Sequence, residues 1–371
     1  KLRPLFETDD PAEIKWNKWE TVKSLNPKTH KEISKRQEVE KSGSPSDLVN
    51  ELLIELEFLS LHLFEAQWKQ QQFASLNKSL PENSVSITID FAENYTCFCL
   101  NEIQGAHWSK DSMTIHPCIC LYKCPKDDEL VDECVDIVSD DLTHDSHAVY
   151  VFLTHVIRHL KEARQVPIQR ASVISDGCAS QYKCRISLMD VSCSINDYQI
   201  MMERSYYGSR HGKNRCDGEA GVLKSKATRD VKNRVANIYN ARTFYDSVKA
   251  LEKPAESEQG TCIHKRRTVI FVSADEIQHE RPERDCKTVP GTRKLHSVLG
   301  VERCVIKTRR LSCFCAACLQ SNYDQCLNTH YVDNWRQAVL KRILFIDAWC
   351  CGYFQQCLFI KFPAVLNDIS H

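Results

Sequence analysis

The sequence predicts an α/β protein with one large mixed sheet and flanking helices. Two observations lead to this fold class. Short apolar or alternating runs, which are typical of strands, are interleaved with longer stretches of helical periodicity. The chain also has 371 residues, of which 42% are hydrophobic, so it is long enough to bury a large core. We therefore expect either one large domain with appendages or two domains.

Composition divides the chain into four regions. Residues 1–80 combine a charged segment with a helical region, and residues 81–250 contain the strand-like runs of the core. Residues 251–335 form a basic and Cys-rich appendage, and residues 336–371 form an apolar tail. Within the tail, the run 343–360 approaches the length of a membrane span. An Asp and two Gln residues interrupt it, which favours a buried segment and predicts no membrane partner.

The first predicted element with clear boundaries is a long helix that begins near residue 45. Ser44 has the position of an N-cap, Pro45 is the first helical residue, and Asp47 follows three residues after the cap. Apolar residues then recur at helical spacing from Val49 to Phe73. This pattern predicts a helix of several turns with one apolar face.

Five strands are predicted in the core, at 85–91, 96–103, 113–122, 171–175 and 199–207. An acidic loop, 127–145, leads to a helix through 149–160 that stops at Pro167, and a last helix covers 218–239. Three antiparallel strands, a helix, a strand, then a strand and a helix is the order of a ribonuclease H-like core. In that fold the first and fourth strands are neighbours at the centre of the sheet.

Three acidic residues have distinctive positions. Asp90 ends the first predicted strand, Asp176 ends the fourth, and Asp217 lies in a Gly- and Lys-rich turn. Because the first and fourth strands are expected to be neighbours, Asp90 and Asp176 are expected to meet. Converging carboxylates can hold two divalent cations, which is an arrangement that cuts and rejoins phosphodiester bonds. For each acid alone, a helix cap or a surface salt bridge is the ordinary alternative.

The segments around these acids also carry a family resemblance. They are Asp90–Tyr95, Ile174–Lys183, Gly208–Lys213 with Cys216–Gly218, and Leu311–Cys318 with Cys326 and Trp335. In these segments the chain resembles transposase-derived proteins of the DDE, ribonuclease H-like superfamily, of the kind scattered through animal genomes. The resemblance implies DNA cleavage and strand transfer that depend on Mg²⁺ or Mn²⁺.

The resemblance also implies a role for each candidate residue. Asp90 is expected to bridge the two cations, while Asp176 and Asp217 each hold one of them. Glu219 is an alternative third acid, because it matches the final letter of the DDE-type pattern that ends in glutamate. The same turn supplies two residues that are expected to contact the scissile phosphate, namely His211 and Lys213.

A local excess of positive charge surrounds the third acid. The formal net charge of the chain is zero, so any affinity for DNA must come from such local patches. The stretch 204–234 contains nine Lys or Arg residues and three acids, and a solvated helix face is the alternative interpretation. Its candidate DNA-binding residues are Arg204, Arg210, Arg215, Lys224, Lys226 and Arg229.

Twenty irregularly spaced cysteines favour reduced thiols or metal ligands over a secreted disulfide scaffold. The densest group consists of Cys313, Cys315, Cys318, Cys326 and His330. Thiolates at short spacing followed by a His suit a structural Zn²⁺ ion, with five candidates for four places. A Cys-rich buried turn is the alternative. Cys304, and Cys262 with His264, are candidate ligands from outside the group.

Two functional hypotheses follow. The first is a transposon-derived catalytic domain that acts on DNA with Mg²⁺ or Mn²⁺ at its acids. The second is an inactive relative that serves as a zinc-stabilised module for binding DNA or protein. Work on DNA by a chain with reduced thiols predicts nuclear localisation, although no clear targeting segment is present. The sequence leaves open whether the chain forms a homo-oligomer.

Overall fold

The protein is described here by a computed structural model, which covers residues 13–27, 29, 31–100, 110–208, 215–256 and 262–342. The chain starts with an antiparallel hairpin of β1 (Ile14–Leu25) and β2 (Glu32–Gly43). The sequence analysis found only a charged, weakly periodic segment here, because most side chains of both strands face solvent. The Trp16 indole N–H donates to Glu51 at 2.9 Å and links the hairpin to the following helix.

Helix α1 (Pro45–Lys78) confirms the predicted helix and its cap. The Ser44 side chain accepts from the Asp47 backbone N–H, and the Asp47 carboxylate accepts from the Ser44 backbone N–H, so the capping box is complete. Only the last third of the helix is buried, through residues such as Phe73 and Leu76. The apolar residues of its first half are largely exposed in the part of the chain that the structure describes.

Twelve further strands follow α1 within the described residues. In chain order they are β3 (Ser84–Ile89), β4 (Tyr95–Thr96), β5 (Ser112–Lys123), β6 (Leu130–Ser139), β7 (Arg170–Ser175), β8 (Met201–Tyr206), β9 (Pro254–Glu256), β10 (Ile263–Lys265), β11 (Arg267–Val272), β12 (Ser297–Glu302), β13 (Val305–Arg309) and β14 (Arg336–Val339). Strands β9 and β10 pair with each other, and the rest form one mixed sheet.

The sheet has the strand order β11-β6-β5-β3-β7-β8-β12-β13-β14, with β4 paired to one end of β5. Strands β3, β7 and β8 run parallel to one another at its centre. Strand β5 is antiparallel to β3, and β6 is antiparallel to β5. The predicted mixed α/β fold with a large sheet is therefore observed, and β3 and β7 are neighbours.

The third strand of the core lies where the sequence predicted an acidic loop. Strand β6 falls within 127–145, and its acids lie among buried apolar residues. The acidic residues of this segment led to the prediction of a loop, because acids seldom lie inside a sheet unless they are paired. Here Glu133 is fully buried and accepts hydrogen bonds from Tyr122, Arg164 and Thr268. The strand predicted at 96–103 is reduced to the short β4, while 101–109 lie outside the described residues.

Helices cover both faces of the sheet. They are α2 (Ser146–Arg158), which a π-helical turn extends, α3 (Arg185–Tyr198), α4 (Arg215–Lys232) and α5 (Ala241–Lys249). Helices α2 and α3 pack with Ile87, Ile89 and Ile137 in one core cluster. Helices α4 and α5 pack with Met113, Ile115 and others of the opposite face in a second cluster. The helices predicted at 149–160 and 218–239 correspond to α2 and α4.

Three strands from residues 251–335, namely β11, β12 and β13, belong to the large sheet. Strand β11 pairs with β6 at one edge, and β12 to β14 extend the sheet beyond β8. Gly300 allows β12 to approach α3 closely, since a Cβ atom there would lie 2.2 Å from the carbonyl oxygen of Val191. Two short helices, α6 (Ala316–Leu319) and α7 (Thr329–Val332), carry the Cys-rich segment.

Within the described ranges, no helix combines the length and apolar character that crossing a membrane requires. The apolar run 343–360 and the rest of the tail lie outside these ranges.

Candidate functional site

The first two predicted acids lie at the same edge of the sheet. Strands β3 and β7 are parallel, and their last registered pair is Thr88 with Ile174. Asp90 and Asp176 each follow two residues after that pair. Because neighbouring strands are about 4.8 Å apart, both carboxylates leave the sheet at one place. The Asp176 side chain accepts a hydrogen bond from the Cys178 backbone N–H at 3.0 Å, which orients it at the start of the following loop.

The third acid lies in the first turn of α4, which is anchored beside the end of β3. Cys216 is buried, and its thiol donates to the carbonyl oxygen of Thr88 at 3.5 Å. Asp217 follows Cys216 directly and is exposed. The contact therefore holds Asp217 near the strand end from which Asp90 projects.

Electrostatic effects on two buried groups connect the three acids. Burial raises the pKa of the Tyr182 phenol well above its ordinary value, and the charges of Asp90 and Asp176 add to the increase. Burial likewise raises the pKa of the Cys216 thiol, with contributions from Asp90 and Asp217. The charge of Asp90 contributes to both increases.

The three carboxylates do not form a compact metal cage. Among the residues that the structure describes, two groups of potential ligands have all their ligand atoms within 4.8 Å of one another. Neither group contains Asp90, Asp176 or Asp217. The structure thus brings two acids to one edge and the third beside it.

The alternative third acid, Glu219, is committed to other partners. It forms an ion pair with Arg267 on β11, and it is buried beside Asp136 of β6. Burial and the charge of Glu219 raise the pKa of the Asp136 carboxyl well above its ordinary value. Residues two apart on a helix face different directions, so Glu219 and Asp217 point to different surroundings. This geometry favours Asp217.

The predicted DNA-binding residues are only partly on the surface. The prediction that Arg204 binds DNA is wrong, because Arg204 lies in β8 with 2% of its surface exposed and cannot contact a duplex. Arg215 is exposed but paired with Asp132, and Lys226 is paired with Asp230. The remaining candidates on α4 are Lys224, which is half-buried, and Arg229, which is exposed. Arg210, His211 and Lys213 lie outside the described residues.

A second cationic surface, which sequence reasoning missed, adjoins Asp176. A cavity of about 770 Å³ begins at Gly177 and is lined by four cationic side chains, namely Lys183, Arg185, Arg293 and Lys294. His296 also lines the cavity, but burial lowers the pKa of its imidazole to about 3, so it carries no positive charge at neutral pH. Burial, together with the nearby Lys69, lowers the pKa of Lys183 to about 8. The lining comes from two segments more than a hundred residues apart, so no local charge run revealed it. The only local signal was the motif that ends in Lys183.

The Cys-rich segment forms the predicted cluster with one change of membership. The sulfur atoms of Cys313, Cys315, Cys318 and Cys326 lie within 4.8 Å of one another. Cys313 and Cys326 are 3.7 Å apart, close to the ~3.8 Å between two sulfur ligands of a tetrahedral zinc ion. His330 is not in the group and instead packs its ring on Tyr331 with centroids 3.8 Å apart. The cluster can hold a metal ion such as zinc.

The environment of Cys313 favours the thiolate that a metal ion requires. A hydrogen bond from Cys318 lowers the pKa of the Cys313 thiol to about 5, and a second donor, the Asn328 amide at 3.3 Å, contributes. Donating that proton raises the pKa of Cys318. Arg309 lies 3.7 Å from the Cys318 sulfur and supplies positive charge. Deprotonated thiolates are the form that coordinates zinc.

The outside candidates do not join this cluster. Cys304 lies beside Met189, with 4.0 Å between the sulfur atoms. Cys262 and His264 form a separate group with Cys124 and Asp127.

Comparison with known families places these features in context. Residues 69–312 match the model of a family described as Domain of unknown function (DUF8701). The chain belongs to this family. The comparisons with curated proteins and with solved structures give no match.

The DUF8701 region includes the acids and the cationic cavity. It spans Asp90, Asp176, Asp217 and the Lys183 loop, and it ends at Ser312. Cys313, the first ligand of the Cys cluster, follows directly after that boundary. The match therefore covers the candidate acid site and does not extend over the cluster.

Proposed function

We propose that this chain is a transposon-derived, ribonuclease H-like domain whose chemistry is divalent-metal-dependent cleavage and strand transfer of DNA. The observation that carries the proposal is the placement of Asp90 and Asp176 at the adjoining ends of two central parallel strands. Acids at that place are held by rigid strands, which is what positioning of a reacting phosphate demands.

The strand order supports the ribonuclease H-like interpretation. Strands β3, β5, β6, β7 and β8 occur in this order along the chain and lie as β6-β5-β3-β7-β8 in the sheet. Numbered from β3, this is the order 3-2-1-4-5, with the first, fourth and fifth strands parallel. Helix α4 then follows the fifth strand and supplies the third acid.

The donor set suits Mg²⁺ or Mn²⁺. Carboxylate oxygens are the hard ligands that these ions prefer, and two or three suffice because the ions keep several waters. We assign the bridging role to Asp90, because it follows β3, which pairs with β7 ahead of Asp176 and whose Thr88 contacts Cys216 beside Asp217. Bound cations would stabilise the attacking and leaving oxygens of an in-line displacement at phosphorus.

The cationic cavity supports binding of the DNA backbone near these acids. Asp176 is followed by Gly177, which begins the cavity, so a phosphate held by Arg293 or Lys294 would lie beside the acid edge. The Lys183 amine donates to the Arg293 carbonyl oxygen at 3.0 Å and so orders the segment that carries Arg293 and Lys294. Phosphate contacts of this kind supply sequence-independent affinity. We expect this surface, more than α4, to guide DNA to the acids.

Nicking of a supercoiled plasmid by the full chain in Mn²⁺ tests the proposal. Asp176→Asn should abolish nicking because it removes a metal-binding charge with little change in shape. Asp246→Asn is the matched control, since Asp246 is an exposed residue of α5 and forms an ion pair with Arg242 at 3.8 Å. Equal nicking by both variants would contradict the assignment.

DNA affinity provides a separate test of the surface. Arg293→Ala combined with Lys294→Ala should weaken binding of a labelled duplex and reduce its salt dependence, because two phosphate contacts are lost. Arg229→Ala, on the exposed side of α4, should have the smaller effect. A larger loss from Arg229→Ala would place the DNA on α4 instead.

One observation favours the second candidate function, an inactive zinc-stabilised module that binds DNA or protein. The four sulfur atoms of the Cys cluster already converge within 4.8 Å, whereas the three acids do not. A folded, zinc-loaded chain that binds DNA but cleaves none in Mg²⁺ or Mn²⁺ would support this function. We propose nuclear localisation for the catalytic domain and for a module that binds DNA, because both meet DNA there.

A further inference from the structure

We propose that Cys124, Asp127, Cys262 and His264 form a second, structural zinc site, separate from the Cys313 cluster and independent of the proposed DNA chemistry. The four side chains each offer a ligand atom, and these atoms all lie within 4.8 Å of one another. They come from two short segments, a C-x2-D turn and a C-x-H strand entry, that are more than a hundred residues apart. Two close-spaced pairs of this kind are typical of structural zinc sites.

Two distances fit tetrahedral coordination. The sulfur atoms of Cys124 and Cys262 are 3.8 Å apart, which is about the separation of two thiolates bound to one tetrahedral zinc ion. The His264 Nε2 atom lies 3.2 Å from Asp127 Oδ2, close to the ~3.3 Å expected for a nitrogen and an oxygen ligand at their usual distances from zinc. The same ion can therefore satisfy both pairs.

The histidine is oriented for coordination. Its Nε2 atom is buried and makes no aligned hydrogen bond to any residue that the structure describes, although Asp127 is close. Its other ring nitrogen, Nδ1, faces the Glu129 carboxylate at 3.7 Å. A carboxylate behind the second ring nitrogen is the usual support for a zinc-bound histidine, because it leaves the first nitrogen free to coordinate.

The turn between β5 and β6 prepares the first pair of ligands. Backbone N–H groups of Lys126 and Asp127 lie within hydrogen-bonding reach of the Cys124 sulfur, so the turn wraps closely around it. The Cys124 carbonyl accepts from the Asp128 N–H at 2.9 Å, and Asp128 has a left-handed φ of 59° that closes the turn. The Asp127 side chain is only 1% exposed. Burying a carboxylate beside two thiols costs free energy unless a cation compensates its charge, and a bound metal ion would supply that compensation.

The site is closed, because the protein supplies all four ligands from N, O and S atoms that suit zinc. Its consequence is mechanical. Zinc there would tie β10, which contains His264, to the turn that joins β5 and β6. Strand β11 begins two residues after β10 and pairs with β6, so the ion would stabilise that edge of the sheet.

Metal content of the purified full chain tests the proposal. After gel filtration, the Cys318→Ser variant, which lacks a ligand of the Cys313 cluster, should retain one zinc ion per chain. Adding His264→Ala should reduce zinc affinity of that variant at least tenfold, whereas adding His330→Ala should leave it unchanged. An unchanged zinc affinity after the His264→Ala change would overturn the assignment.

A second variant keeps the test decisive if Cys318→Ser fails to fold. Asp127→Cys in the otherwise natural chain should keep both metal ions, and after cobalt substitution its sulfur-to-cobalt absorption should increase because one thiolate is added. An unchanged absorption would show that Asp127 is not a ligand. A disulfide between Cys124 and Cys262, seen as the loss of two hydrogens in the intact mass of the freshly purified chain, would also overturn the proposal.

Discussion

The Cys216 thiol donates to the carbonyl oxygen of Thr88 at 3.5 Å, and this contact joins the first turn of α4 to the last residues of β3. Two residues after Thr88 comes Asp90, and one residue after Cys216 comes Asp217. The contact therefore determines how far apart these two acids lie. A buried cysteine is small enough to allow the close approach of helix and strand that this spacing requires.

We predict that Gly300→Ala destabilises the protein by at least ~2 kcal/mol, because the new methyl group would meet the Val191 carbonyl oxygen at 2.2 Å and neither backbone can move cheaply. Gly221→Ala is the control. Gly221 lies in α4 with no atom within 4 Å of the added carbon, so alanine should stabilise the helix by about 0.5–1 kcal/mol. Urea unfolding of both variants gives the comparison, and a stable Gly300→Ala protein would contradict the observed packing.

We predict that Glu133→Ala costs about 3 kcal/mol of unfolding free energy, because it leaves the half-buried Arg164 guanidinium without its bidentate partner. Burial alone would raise the pKa of Glu133, but hydrogen bonds from His159, Arg164 and Thr268 lower it to about 2. Glu40→Ala serves as the matched control, since Glu40 pairs with Lys15 on the exposed hairpin and should contribute at most ~1 kcal/mol. Similar losses for both variants would argue against the buried network.

We predict that Lys69→Met stabilises the protein at pH 7 by about 2–3 kcal/mol. Lys69 is 1% exposed, and burial lowers its pKa from 10.5 to about 8. The unfolded chain therefore binds the proton more tightly than the folded chain, so the stability of the natural protein rises as pH increases from about 8 to 10.5.

The stabilising effect of Lys69→Met should accordingly be full below pH 8 and shrink above it. Urea unfolding of both proteins at pH 7 and at about pH 9.5, in reducing buffer, measures this difference. Groups remote from Lys69 titrate equally in both proteins, and its neighbour Lys183, whose pKa Lys69 lowers, shifts the difference in the same direction. A difference that stays constant with pH would show that Lys69 is not held in a low-dielectric site.

We predict that Cys318→Ser removes the zinc ion of the Cys313 cluster and lowers the midpoint of thermal unfolding, because three thiolates and a hydroxyl bind zinc less well than four thiolates. His330→Ala should leave both the zinc content and the midpoint unchanged, since His330 is not in the cluster. Metal analysis with thermal unfolding checks both variants. Loss of zinc from His330→Ala would restore the histidine as a ligand.

Much of the fold could be predicted from local patterns. The capping box at Ser44, the apolar strands around Ile87 and Val173, and the helix before Pro167 are all read from neighbouring residues. Strand β6 was not predicted, because its buried acid Glu133 is stable inside the sheet only when it pairs with residues from other parts of the chain, such as Arg164. Pattern alone could not show those partners.

The candidate sites divide in the same way. Spacing along the chain identified Cys313, Cys315, Cys318 and Cys326, because four ligands within one short segment are close whatever the rest of the fold does. The cationic cavity and the second cysteine group were not identified. Their members join across more than a hundred residues, as Lys183 and Arg293 do through a hydrogen bond of 3.0 Å.

The sequence by itself determined the α/β class, the acids at two strand ends and the Cys-rich cluster, since each depends on residues that are neighbours in the chain. Only the tertiary structure decided that Arg204 is buried, that Glu219 belongs to Arg267, and that His264 faces Asp127. The physical reason is that burial and ion pairing depend on which strands and helices become neighbours. That choice is made by the packing of the whole chain.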